Sequence, residues 1–101
     1  MTRTKKATNI PKKVKDAVYE RDGGVCILCG SEYGRPECHY IPRSHLGLGI
    51  EENLVTLCPE CHRAFDQSTR RKEMKEKIRD YLSGKYPNWN ESKLVYCKYS
   101  F

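Results

Sequence analysis

Residues 53–66 read NLVTLCPECHRAFD, and the change of character at Cys58 decides the fold. Leu54, Val55, Thr56 and Leu57 are apolar or β-branched and suit a strand, which Cys58 and Pro59 bound. Proline is tolerated in a first helical turn, where its missing N–H costs nothing, so a helix is expected through Cys61, His62, Ala64 and Phe65. Cys58 and Cys61 therefore sit where a strand turns into a helix. His62 and Asp66, four residues apart, share one face of that helix.

A second CxxC lies upstream. Cys26 and Cys29 enclose two residues, as Cys58 and Cys61 do, and the 28 residues between the pairs can bring two knuckles together across a short hairpin. Four thiolates complete the tetrahedron of Zn2+ and leave no open position, so the expected site is structural and cannot itself activate water. Disulfides or a redox CxxC are the competing readings. Zinc binding would couple to folding, because roughly 10 kcal/mol or more of metal affinity exceeds what a small core supplies. Cys38 and Cys97 are left over and are expected as buried thiols.

Upstream of the first knuckle, Ile10, Val14, Ala17 and Val18 recur at helical spacing, with Asn9 as a cap and Pro11 in the first turn; the helix is expected from Ile10 to Arg21. Asp22, Gly23 and Gly24 stop it. Between the knuckles, CHYIP offers a short strand ending at Pro42, and SHLGLGIEEN is a loop. Beyond Gln67, Met74, Ile78, Tyr81 and Leu82 make an apolar stripe on a second long helix that should end at Gly84. The tail holds Tyr86, Trp89, Tyr96, Tyr99 and Phe101, expected to pack back on the body. The expected organisation is a disordered basic arm over residues 1–9 and a single domain over 10–101, with its core at about 14–67 and the helix and aromatic tail at 68–101.

A chain of 101 residues, 38 % hydrophobic and 32 % charged, has room for one domain with a thin core, which favours a metal staple. No long apolar run provides a membrane span or a signal peptide, so a cytoplasmic location is expected, where thiols stay reduced and paired CxxC motifs mean zinc. The net charge of +6 is concentrated at the start: Arg3, Lys5, Lys6, Lys12, Lys13 and Lys15 all precede the first acid, Asp16. A polyanion partner, nucleic acid first and an anionic membrane surface second, fits that distribution, and a merely solubilising terminus fits it too.

In order, the chain gives CHYIPRS, a glycine loop, and then IEENLVTLCPECHRAFD. This closely resembles the HNH endonuclease family, in its zinc-stapled branch, over about Val14 to Gln67; the basic arm, later helix and YPNW tail are similar to those of short phage nucleases. The resemblance implies an α+β fold, a small ββα-metal core with flanking helices and the four-cysteine zinc. It implies a metal-dependent DNA endonuclease that nicks by hydrolysing a phosphodiester bond. His39 would be the general base, a role that suits an imidazole with a pKa near ~6.5.

Asn53 matches the family asparagine, which holds the hairpin loop and orients the base or, in some members, approaches the metal. His62 matches the final histidine, and Asp66 stands where members often place a further metal-binding histidine. His62 and Asp66 would hold one divalent ion, Mg2+, Mn2+, Ni2+ or Zn2+; a solvated acid is the plain reading of Asp66. Cys38 departs from the pattern, since many members have Asp or His there. Either it is a buried hairpin residue, or it is a soft ligand and the site prefers a softer ion. Arg43 and Arg63, with Lys12 and Lys13, are placed for DNA phosphate, and His45 reads as a surface loop residue. DNA is the expected partner, with phage packaging proteins as a family expectation and a monomer or weak dimer as the assembly. The alternative function is a zinc-stapled DNA-binding module that does not cleave.

Overall fold

The computed structural model describes residues 7–67 and 69–96. Among these, helix α1 (Lys12–Arg21) leads to strand β1 (Arg35–His39), strand β2 (Leu54–Leu57), helix α2 (Pro59–Gln67) and helix α3 (Arg71–Lys85), with short 3-10 turns at Arg43–His45, Glu51–Asn53 and Glu91–Lys93. The strands form one two-stranded antiparallel sheet. The result is the expected small α+β fold. Among the described residues no helix is long and apolar enough to cross a membrane.

Strand β2 is buried at all four positions, with α1 packed against both strands and α2 against β2. Cys38 pairs with Val55 and His39 with Leu54, and the register is irregular between Arg35 and Cys38. The strand expected at CHYIP thus lies three residues earlier. The Tyr40 N–H still donates to the Asn53 carbonyl at 2.8 Å, but the Ile41 N–H is taken by the Asn53 side chain at 2.9 Å, so the ladder ends there.

Helix α1 begins at Lys12 rather than Ile10. Pro11 is extended, and the Asn9 side chain does not cap the helix, because its Oδ1 accepts from Arg43 at 2.6 Å instead. Helix α3 buries Met74, Ile78 and Leu82 against the sheet and runs through Gly84 to Lys85. Its end is set by Tyr86, whose hydroxyl accepts from Arg21 at 3.1 Å, rather than by the glycine. Trp89 and Tyr40 pack in a T-shaped pair with ring centroids 5.5 Å apart, and the Trp89 Nε1–H donates to the Glu52 carbonyl at 2.8 Å. Tyr86 and Trp89 therefore fold back on the body; Cys97, Tyr99 and Phe101 lie outside the described residues.

The end of the arm is also held. Among residues 1–9, expected to be disordered, Ala7–Asn9 dock on the body: the Gly49 N–H donates to the Ala7 carbonyl at 3.0 Å, and Thr8 is 4 % exposed. Residues 1–6 lie outside the described set.

Candidate active site beside a four-cysteine metal centre

The Sγ atoms of Cys26, Cys29, Cys58 and Cys61 all lie within 4.8 Å of one another, and the Cys29 and Cys58 sulfurs are 3.6 Å apart. Zinc–sulfur bonds of about 2.3 Å in a tetrahedron put sulfurs about 3.8 Å apart, so the four thiols fit Zn2+. A disulfide needs about 2.05 Å, and all the described cysteines are free thiols.

Local structure explains the cluster. Gly30 adopts φ +78, a left-handed conformation that suits glycine, and its N–H donates to the Cys26 carbonyl at 2.8 Å, closing the first knuckle. The Ile27 N–H donates to the Thr56 carbonyl at 3.0 Å, fixing that knuckle to β2, while the second knuckle is the junction of β2 and α2. Burial raises the Cys26 thiol, but backbone N–H groups around it outweigh burial and bring it down to about 7, poised to lose its proton to a metal.

A separate open cleft of about 490 Å³ is lined by His39, His62, Arg43, Glu37, Lys15, Asn9 and Ile10. His39 reaches it from the end of β1 and His62 from the first turns of α2, directly after a metal-centre cysteine. His39 is half-buried, and its Nε2 lies 3.1 Å from the Thr8 carbonyl. Burial lowers its pKa; the Thr8 carbonyl works the other way, and the charges of Arg43 and His62 lower it further, so the ring is neutral at pH 7. His62 Nε2 and Asp66 Oδ2 are 3.6 Å apart, both side chains open to solvent. Two ligands about 2.1 Å from one ion stand roughly 3.0–3.6 Å apart, so this pair has the spacing to share a divalent cation.

Asn53 is fully buried and does not line the cleft. Its Oδ1 accepts from the Ile41 N–H at 2.9 Å, and its Nδ2 donates to the carbonyls of Ile41 and Leu48 at 3.2 and 2.9 Å. It clamps the loop that follows His39. Cys38 is 1 % exposed and belongs to the apolar core. Burial, reinforced by the charges of Asp66 and Cys26, pushes its thiol far up, so it stays protonated.

Arg43 lines the cleft, whereas Arg63 is exposed on α2 outside it and His45 is exposed in the loop. Lys12 and Lys13 are exposed at the start of α1, with Lys12 paired to Asp16 at 3.3 Å. Lys15, one turn along, is the lysine that reaches the cleft, where it pairs with Glu37 at 3.1 Å. Glu37 does not stand out in the sequence, and Asn9 stands out only as a helix cap. Glu37 stands two residues before His39 and so shares its strand face, a period-two relation visible in the sequence once the strand is known.

Residues 26–66 match the family model described as HNH endonuclease. Over 74 residues the chain is 34 % identical to the type IV methyl-directed restriction enzyme EcoKMcrA of Escherichia coli (strain K12), an alignment that takes in 64 % of this chain and 27 % of that enzyme. The chain thus spans about a quarter of the length of the curated relative it matches.

Proposed function

We propose, taking residues 26–66 as the HNH domain they match, that this chain is a metal-dependent endonuclease that hydrolyses DNA phosphodiester bonds one strand at a time. The observation that carries the reading is that β1 delivers His39 and α2 delivers His62 into one shared cleft, with Arg43 beside them. The four-cysteine centre serves as scaffold: it anchors the start of α2 and so the position of His62.

In this reading neutral His39 takes a proton from a water molecule, whose oxygen attacks phosphorus while the bond to the 3′ oxygen breaks. The leaving 3′ oxygen takes up a proton from solvent, so the products carry a 5′ phosphate and a 3′ hydroxyl. His62 and Asp66 would hold one divalent ion, whose Lewis acidity stabilises charge on the phosphoryl and leaving oxygens. Cys38, neutral and buried, takes no part. Arg43 binds a phosphate of the scissile strand with its guanidinium, and Lys15 adds charge on the same wall. Asn53 holds the loop behind His39. One centre cuts one strand, so a monomer nicks.

The test is a supercoiled plasmid incubated with zinc-loaded protein and Mg2+, Mn2+, Ni2+ or added Zn2+. Metal-dependent conversion to nicked circles, abolished in His39→Ala, is expected. DNA binding without nicking under every metal assigns the chain instead to non-catalytic DNA-binding modules, and nicking undiminished in His39→Ala removes the base assignment.

A further inference from the structure

The His39 ring is held by a segment far away in sequence. Its Nε2 is 3.1 Å from the carbonyl oxygen of Thr8, and a carbonyl only accepts, so Nε2 must carry the hydrogen. In the neutral ring the lone pair is then on Nδ1.

The segment that supplies this carbonyl is itself seated by specific contacts. The Gly49 N–H donates to the Ala7 carbonyl at 3.0 Å, and Arg43 donates to Asn9 Oδ1 at 2.6 Å. A Cβ on Gly49 would fall 2.0 Å from the Asn9 carbonyl oxygen and 2.6 Å from its carbon, so the chain crosses position 49 only because that residue has no side chain. The floor under it is fixed in turn by Asn53, which binds the Leu48 carbonyl at 2.9 Å.

We propose that Ala7–Asn9 is a positioning strap for the site: the Thr8 carbonyl locks His39 in the Nε2–H tautomer so that Nδ1 faces the attacking water, and Asn9 aims Arg43 at the phosphate. The role of the Nδ1 lone pair rests on the nuclease reading; the lock on the ring does not. Thr8 and Asn9 act through His39 and Arg43 and are positioning residues, not catalytic ones.

The test reads the tautomer directly, from the 15N spectrum of the His39 ring in zinc-loaded full-length protein without DNA. Wild type is expected to show Nε2–H alone. Gly49→Ala, which displaces the strap without touching the ring, should give a mixture of tautomers and a nicking rate roughly 10- to 100-fold lower, no more than the roughly 10²- to 10⁴-fold that a whole general base contributes. Should Gly49→Ala fail to bind zinc, two deletions decide. Removal of residues 1–6 keeps the strap and should keep the tautomer, whereas removal of 1–9 should lose it. An Nδ1–H ring in wild type, or an Nε2–H ring unchanged in both Gly49→Ala and the 1–9 deletion, overturns the strap. A strap-dependent tautomer in a protein that nicks no DNA overturns the nuclease reading alone.

Discussion

Arg21 donates to both carboxylate oxygens of its neighbour Asp22, at 2.7 and 3.1 Å, at the point where α1 ends. The pair is the polar centre of the fold. Arg21 also donates to the Glu51 and Leu54 carbonyls at 2.8 and 2.6 Å, while Asp22 accepts from the Thr56 N–H at 2.8 Å and the Tyr81 hydroxyl at 2.6 Å. Helix α1, strand β2 and helix α3 meet there.

Replacing Asp22 by Asn removes the charge and leaves the Arg21 guanidinium buried without its partner, at a cost of about 3 kcal/mol. Burial raises the Asp22 carboxyl, but the bonds from Arg21 and Tyr81 outweigh it and hold the group below the usual carboxylate range. A group so depressed stabilises the fold above its unfolded pKa of ~3.9 and loses that contribution as pH falls through the lower folded value. Urea midpoints of wild type and Asp22→Asn should therefore differ by a constant amount between pH 7 and 5 and converge only in more acid solution. Convergence already between pH 7 and 5 contradicts this assignment.

Removal of zinc should unfold the domain. The core is thin, and the first knuckle, β2 and α2 are joined at the cysteine cluster, so roughly 10 kcal/mol or more of metal affinity is folding energy. Chelator should abolish the helical circular dichroism, and re-added Zn2+ should restore it at one ion per chain. Cys58→Ser, at a buried position, should bind no zinc and show no cooperative melting. A Cys58→Ser protein that melts like wild type would show that the centre is dispensable.

What could be read from the sequence was local. Metal-ligand spacing within a CxxC, the apolar run Leu54–Leu57 and the four-residue step from His62 to Asp66 each fix geometry over one turn or one strand, and the structure has all three. What could not be read depends on partners far along the chain. Asp22 reads as a helix stop, because Thr56 and Tyr81 are 34 and 59 residues away. Strand β1 hides behind Arg35 and Glu37, polar residues on an exposed edge, so the apolar CHYIP attracted the assignment. The docking of Ala7–Asn9 runs largely through backbone carbonyls, which leave no mark in residue type.

Asp66→Asn tests the metal pair. The amide keeps the shape and loses the charge that draws a cation to His62 Nε2, 3.6 Å away. The divalent-metal concentration for half-maximal nicking should rise about 10- to 100-fold, with the rate at saturating metal much less affected, and zinc content should stay at one per chain. An unchanged metal requirement assigns Asp66 to solvent.

Cys38→Ala separates core from ligand. A buried thiol that stays protonated contributes packing, so its loss should cost about 1–2 kcal/mol in urea melts and leave zinc stoichiometry and metal preference unaltered. A shift of the preferred cofactor from soft to hard ions in Cys38→Ala would make the sulfur a ligand.

Asn53 distinguishes a loop clamp from a metal ligand by the order of two substitutions. Alanine strands the Ile41 N–H and the carbonyls of Ile41 and Leu48, some of which water can reach, for a loss of about 2–4 kcal/mol. Aspartate still accepts from Ile41 but turns a second oxygen toward two carbonyls where an amide donated, so repulsion adds to the lost bonds. A clamp therefore predicts Asn53→Asp to be at least as destabilised as Asn53→Ala, with nicking reduced in both because the loop behind His39 is loosened. A metal ligand predicts the reverse, with the carboxylate retaining or tightening metal binding. Thermal melts and metal titrations of the two zinc-loaded variants, side by side, decide between them.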